Sequence, residues 1–118
     1  MDVADAVNIM LWASPMPDGT PGCAVWDLFK AEDADKIRDF LSNKFKDKKK
    51  VFNDPIHSQM FYLDAPLRKE LFEQKGVKSF RVYQYPGQAV FIPAGCAHQV
   101  CNLSDCIKIA LDFVSPRK

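Results

Sequence analysis

Short apolar runs separated by turn residues dominate the chain and predict several β-strands. Residues 3–12 alternate between apolar and other side chains, which is typical of a strand with two distinct faces. We expect Val7, Ile9 and Leu11 on one face, and Ala6, Asn8, Met10 and Trp12 on the other. Residues 14–23 are rich in proline and glycine and predict a loop.

Four more strands are predicted in the C-terminal part. Residues 78–85 alternate, residues 89–92 form a short apolar run expected to be buried on both faces, and a strand follows the turn at Pro93 and Gly95. That strand places alternate residues together: His98, Val100 and Asn102 on one side, and Gln99, Cys101 and Leu103 on the other. The strand over residues 106–114 has an apolar face of Ile107, Ile109, Leu111 and Phe113, with Lys108 on the opposite face.

Two helical segments are predicted between these strands. Residues 26–45 are expected to be helical with a break near Ala31, since apolar residues recur there at intervals of three and four. A second helix begins after Asp64, has Pro66 in its first turn and ends at Gly76. Its expected buried side consists of Leu67, Leu71 and Phe72.

This arrangement, with no alternation of strand and helix, favours a mainly β sandwich or barrel with helical insertions. The 118 residues, 47% of them hydrophobic, are enough for one compact domain spanning residues 1–118.

Charge and targeting signals narrow the function classes. A net charge of +1 provides no overall field for nucleic acid, so direct DNA binding is not expected. The basic run at residues 44–50 is interpreted as a solvated connector, with a local contact to DNA or to an acidic partner as the alternative. Residues 1–10 lack the features of a signal peptide, and no run of 18 apolar residues occurs, so we expect an intracellular protein without a membrane span.

The four cysteines are expected to be free thiols. Three of them flank His98 in the pattern C-x-H-x-x-C-x-x-x-x-C, which suggests zinc at first sight. The spacing is not that of a CxxC knuckle, and neighbouring positions fall on opposite strand faces, so the zinc interpretation is disfavoured.

Polar residues within the apolar strands are the candidate functional groups. His98 directly follows a tight turn, where an imidazole can hold a metal or a substrate or have a purely structural role. Asp2 shares strand parity with Asn8, so its carboxylate could face a pocket or lie in solvent. Lys108 lies either on the solvent side of an open sheet or inside a barrel, where it would need an anion.

Several segments resemble the JmjC domains of the histone lysine demethylase 3 and hairless subgroup. They are DVADAVNIM, WDLFKAEDADKIRDFL, DPIHSQMFYLD, FIPAGCAHQVCNL and CIKIALDFVSP, which together cover nearly the whole chain. The resemblance implies a double-stranded β-helix, the cupin-like jelly roll of that family. It also implies that the chain corresponds to the C-terminal portion, so that the fold is truncated at its N-terminus.

The resemblance also implies a site. Asp2 and His98 would be the catalytic Fe(II) ligands, Asn8 would hydrogen-bond the cosubstrate 2-oxoglutarate, and Lys108 would be its charge partner, because Met16 occupies the position of a lysine common in the family. The first His of the family's His-x-Asp motif would precede residue 1. We therefore expect either a fragment or a short protein with two of the three iron ligands.

The function implied is that of an Fe(II)- and 2-oxoglutarate-dependent dioxygenase resembling nuclear histone H3 lysine 9 demethylases, with the methylated histone H3 tail as partner. Activity is expected to be impaired by the missing His. One alternative is a non-catalytic JmjC-like scaffold in chromatin regulation. Another is a small cupin-like metal enzyme that uses His57 as the third ligand.

Overall fold

The computed structural model describes residues 4–45 and 62–114, and in this part of the chain strands predominate over helices. The elements are β1 Ala4–Ala13, β2 Ala24–Phe29, a 3₁₀ turn Ala31–Asp33, α1 Ala34–Lys44, α2 Ala65–Lys75, β3 Ser79–Gln84, β4 Ala89–Ile92, β5 His98–Asn102 and β6 Cys106–Val114. The predicted mainly β class with helical insertions is confirmed.

The strands form two three-stranded sheets, and the chain divides into two compact units. The first unit takes its described residues from Met1–Asp27, Arg81–Gly95 and Val100–Lys118. It contains the sheet in which β1 lies between β4 and β6, antiparallel to both. The other sheet has the order β3, β2, β5.

A β-bulge changes the predicted faces of β1. The register with β6 runs without a break from Ala4 to Met10, which pairs with Lys108, and then Trp12 pairs with Ile107. Leu11 is the extra residue. Trp12 therefore lies on the same face as Val7 and Ile9, and its predicted place beside Asn8 and Met10 is wrong because a bulge reverses the alternation.

β6 forms as predicted, but its apolar face is the exposed one. Ile107, Ile109, Leu111 and Phe113 are 42% to 55% exposed, whereas Lys108 is half-buried. The opposite side of this sheet carries the buried residues Met10, Val90 and Ile92. The prediction that residues 89–92 are buried on both faces is wrong, because Ala89 and Phe91 are exposed.

The predicted helix over residues 26–45 is correct only in its second half. Residues 24–29 form β2, the central strand of its sheet, and all of them except Leu28 are buried. A run buried on both sides is characteristic of a central strand, and it concealed the strand's periodicity. The extended backbone of Lys30 ends β2, and helical structure begins at Ala31, where the break was expected.

The second unit consists of Leu28–Phe80, within its described part, and Cys96–Gln99. Its core contains Phe29, Ile37, Phe40, Leu41, Leu63, Leu71, Val77 and Ala97. The apolar stripe of α1 enters this core through Ile37, Phe40 and Leu41, as the spacing of three and four residues predicts.

Local signals set both ends of α2, as predicted. The Asp64 carboxylate accepts a hydrogen bond from the Leu67 backbone N at 3.0 Å, Pro66 lies in the first turn, and Gly76 ends the helix in the left-handed conformation. Leu71 is buried and Leu67 is half-buried. Phe72 is 47% exposed, so its predicted burial is wrong.

Candidate functional site

Asn8 lies in the middle of β1, on the side of the sheet that carries Met10. It pairs with Val90 of β4 and with Ala110 of β6. Its backbone carbonyl and its side-chain Oδ1 accept hydrogen bonds from Gln84 Nε2 at 3.0 and 3.3 Å. Because Oδ1 faces Gln84, the donor end of the Asn8 amide, Nδ2, is turned away from it.

Gln84 connects Asn8 to the other polar groups of the first unit. Its side chain is fully buried, and its Oε1 accepts a hydrogen bond from Trp26 Nε1 at 2.8 Å. Its Nε2 also lies 3.2 Å from the Gln88 carbonyl oxygen. Both ends of the Gln84 amide are therefore satisfied, as a buried amide requires, and its position is fixed.

Lys108 lies on the same face of the sheet as Asn8. It is two residues along β6 from Ala110, the pairing partner of Asn8, so the two side chains are diagonal neighbours. Its Nζ donates to Asn102 Oδ1 at 2.5 Å and lies 5.3 Å from the centre of the Trp26 ring. Burial lowers the pKa of the Lys108 ammonium below its ordinary value.

These contacts join Asn8, Trp26, Gln84, Asn102 and Lys108 into one set, which we call the amide–lysine cluster. In the described part of the chain, no carboxylate lies within ion-pair distance of Lys108. The cluster thus combines amide groups with a half-buried cation whose hydrogen-bond partner, Asn102, and ring contact, Trp26, are neutral. The neighbouring Cys106 opposes the effect of burial by raising the pKa of Lys108, but burial has the larger effect. Such a combination of groups suits the binding of an anion.

Sequence reasoning identified Asn8 and Lys108 but missed Trp26 and Gln84, which hold them. A glutamine that ends an alternating strand beside the Pro86-Gly87 turn was the available signal for Gln84.

An ion pair lies beside Trp26 on β2. Asp27, the next residue of this strand, is fully buried, and its carboxylate accepts hydrogen bonds from Arg81 Nε and Nη2, each at 3.0 Å. Asp27 raises the pKa of the Arg81 guanidinium.

Of the two predicted iron ligands, the structure describes His98 but not Asp2. Asp2 lies outside the described residues. The expectation that it shares a face with Asn8 required an unbroken strand, and the register is unbroken from Ala4 to Met10. Its role stays a prediction, and His57 also lies outside the described residues.

His98 is the first residue of β5 and belongs to the second unit. It is half-buried, and its Nδ1 lies 3.4 Å from the Cys96 carbonyl oxygen. Neighbouring bonds fix its backbone: Phe29 N donates to the Ala97 carbonyl at 2.9 Å, and the Gln99 side chain bonds both the N and the O of Leu63. The start of β5 is thus anchored on both sides of His98.

Within the described ranges, no group of three His, Cys, Asp or Glu side chains is close enough to hold a metal ion. The four cysteines are free, with Cys23 buried and the others half-buried. Neither described helix is long and apolar enough to cross a membrane.

Comparison with known proteins agrees with the resemblance. The model of the "JmjC domain, hydroxylase" family matches residues 18–113. The chain is 41% identical to "Lysine-specific demethylase 3" of Drosophila melanogaster over 98% of its length, and 48% identical to "Lysine-specific demethylase 3A" of Rattus norvegicus over 81%. It is 42% identical to "Lysine-specific demethylase JMJ29" of Arabidopsis thaliana over 80%.

These relatives are much longer proteins, of which the chain covers 17%, 8% and 12% respectively. The alignment with the Drosophila protein extends over 149 positions, 31 more than the chain has residues, so it includes positions of the relative that have no counterpart here. The matched family model and the identity to three lysine-specific demethylases together show that this chain belongs to the JmjC domain family, within its lysine demethylase 3 branch.

Proposed function

We propose that this chain is the cofactor-binding portion of an Fe(II)- and 2-oxoglutarate-dependent dioxygenase that demethylates lysine, most like the histone H3 lysine 9 demethylases. Membership of the demethylase 3 branch supports the class of reaction. When bound, iron would supply activation of dioxygen, with 2-oxoglutarate oxidised to succinate and CO₂, so that an N-methyl group would be hydroxylated and leave as formaldehyde. The methylated histone H3 tail is the proposed partner, and the nucleus the proposed location.

Asp2 and His98 are the proposed iron ligands. A carboxylate and an imidazole are the donors of the facial triad that binds non-haem Fe(II), whose third ligand is a second imidazole. The 118 residues contain two histidines, His57 and His98, and neither precedes Asp2. We therefore propose that the 118-residue polypeptide binds iron weakly and is impaired as a demethylase.

The observation that carries the cosubstrate assignment is the environment of Lys108. Partly removing an ammonium from water is costly unless an opposite charge compensates for it, and the hydrogen-bond partner and the ring contact of Lys108 are the neutral Asn102 and Trp26. A carboxylate of 2-oxoglutarate would supply that charge. On the same face, Asn8 Nδ2 would donate a hydrogen bond to the cosubstrate, with Gln84 fixing the orientation of the amide.

We expect substitution of Lys108 to weaken 2-oxoglutarate binding. The measurement uses a chain extended by a His directly before Met1, called the His-extended chain, with Fe(II) under anaerobic conditions and titration calorimetry. Lys108→Met should raise the Kd about 30-fold or more, because it removes the charge partner of a partly desolvated anion. Lys78→Met, which removes an exposed lysine in the second unit, is the matched control and should leave the Kd unchanged.

The pH dependence of the same Kd gives a second readout. Burial lowers the pKa of Lys108 in the free protein, and only the protonated form attracts the anion. Affinity should therefore fall as the pH rises through this lowered pKa, at a lower pH than for an ordinary lysine. Lys108→Arg remains protonated and should lose this fall. Equal affinities for the Lys108→Met and unsubstituted chains would reject the assignment.

A second candidate is a non-catalytic JmjC-like scaffold. If neither Fe(II) nor 2-oxoglutarate raises the melting temperature of the His-extended chain, the scaffold is the better account, since a ligand that binds the folded state must stabilise it.

A further inference from the structure

The second unit contains a cavity with an apolar floor, which we call the α2 cavity. It has a volume of about 260 Å³ and is lined by residues of α2 and of the segment that follows this helix. Its floor consists of Phe29, Leu71 and Val77, which are buried and belong to the core of the unit. Phe72, which also lines the cavity, is 47% exposed. The α2 cavity therefore extends from the core to an aromatic side chain at the surface.

Three cationic side chains line the same cavity, namely Arg68, Lys69 and Lys78. Arg68 is half-buried, and its Nη1 donates a hydrogen bond to the Leu63 carbonyl oxygen at 2.6 Å. Lys69 and Lys78 are both exposed. Lys78 Nζ lies 5.4 Å from the centre of the Phe72 ring, which is within the range of a cation–π contact. The apolar floor is thus bordered by positive charge.

This positive charge has no counterpart within the cavity. No aspartate or glutamate is among the described residues that line it. In the described ranges, no carboxylate lies within ion-pair distance of Lys69 or Lys78. Glu70 of the same helix is paired with Lys44, whose Nζ donates to its two carboxylate oxygens at 2.7 and 2.8 Å. An anionic ligand would therefore displace no described ion pair of either lysine.

We propose that the α2 cavity binds an acidic peptide segment of a partner protein, which inserts one large apolar side chain between flanking carboxylates. The cavity is smaller than the about 300 Å³ at which pockets for drug-sized ligands begin, so its volume suits a single side chain. An apolar anchor buried in a pocket is a common source of affinity at protein interfaces. Carboxylates on either side of the anchor would pair with Lys69 and Lys78, which adds specificity.

A nucleic acid would fit this cavity less well than an acidic peptide. Both carry negative charge, but a base has polar edges that require hydrogen-bond partners when they are buried. The side chains of the floor, Phe29, Leu71 and Val77, offer none. The net charge of +1 also provides no overall field that would attract a polyanion.

The test is fluorescence anisotropy with the 118-residue chain and the labelled peptide Gly-Asp-Glu-Phe-Asp-Glu-Gly. We expect saturable binding with a Kd of about 100 µM or lower. The Kd should rise about 3-fold or more between about 50 and 500 mM salt, because the two lysines are exposed. A peptide with alanine for the central phenylalanine, and one with asparagine and glutamine for the acids, should each bind about 10-fold more weakly.

Substitutions in the chain locate the binding site. Lys69→Gln combined with Lys78→Gln should raise the Kd about 10-fold, since two ion pairs are lost. Phe72→Ala, which removes the exposed aromatic side chain of the cavity, should raise it by a similar factor. Lys36→Gln, which changes an exposed lysine of α1 in the same unit, is the matched control and should leave the Kd unchanged. Lys69→Arg combined with Lys78→Arg keeps both charges and should retain the affinity.

Three outcomes would overturn the proposal. The first is a peptide that does not bind at about 1 mM, and the second is a neutral peptide that binds as tightly as the acidic one. The third is a single-stranded oligonucleotide that displaces the labelled peptide at a lower concentration than the unlabelled peptide does. Circular dichroism verifies that each variant is folded, which we expect because the substituted positions are exposed. The experiment requires neither iron nor 2-oxoglutarate, so its result is independent of the proposed function.

Discussion

Replacing Gly22 by alanine is expected to lower the free energy of unfolding by about 3 kcal/mol, because a Cβ at this position would overlap two oxygen atoms. They are the Ser14 carbonyl oxygen and Ser104 Oγ. The backbone around them is held firmly: Ser14 N donates to Asp105 O at 2.8 Å, and Leu103 N donates to Cys23 O at 2.9 Å. The overlap therefore cannot be relieved by moving one flexible side chain.

Urea unfolding followed by circular dichroism measures this change. Gly19→Ala is the matched control in the same connection between β1 and β2. Its Cβ would meet open space, and the cost of about 1 kcal/mol comes from its positive φ of 85°. A Gly22→Ala variant that is no less stable than Gly19→Ala would show that the described close approach is not part of the folded state.

Gln84→Leu is expected to cost about 3 kcal/mol, since several buried polar groups would lose their partner at once. Trp26 Nε1 would lose its acceptor, and the carbonyl oxygens of Asn8 and Gln88 would lose a donor. Leucine has nearly the volume of glutamine, so the loss would reflect hydrogen bonding more than a cavity. Thermal and urea unfolding both measure it.

Two further variants separate hydrogen bonding from packing. Gln74→Leu changes an exposed glutamine of α2 and should alter stability by less than about 0.5 kcal/mol. Gln84→Glu keeps the acceptor for Trp26 Nε1, but its ionised form cannot donate to Asn8. Its stability relative to the unsubstituted chain should therefore recover as the pH falls and the glutamate is protonated. A stable Gln84→Leu variant would contradict the account of the amide–lysine cluster.

Features set by neighbouring residues were predictable from the sequence. The cap at Asp64 and the stop at Gly76 define α2 because each acts on backbone groups within a few positions. The strands β3, β4, β5 and β6 likewise follow from short apolar runs and the turns between them. The JmjC motifs added the family, which composition and periodicity alone would not have supplied.

Features set by contacts between residues far apart in the sequence could not be predicted from it. Alternation in β6 separates Lys108 from Ile109 and Leu111, but which of the two sides is exposed depends on how the folded sheet packs. The bulge at Leu11 depends on the pairing of β1 with β6. Gln84 contacts Trp26 and Asn8, 58 and 76 positions away, so no local pattern could indicate that it holds Asn8.

The most direct test of the central claim is an anaerobic Fe(II) titration of three chains: the 118-residue polypeptide, the His-extended chain, and the His-extended chain carrying His98→Ala. We predict that the His-extended chain binds iron about 100-fold more tightly than either of the others, since only it supplies all three ligands. Equal affinities for the three chains would contradict the assignment of Asp2 and His98 as iron ligands.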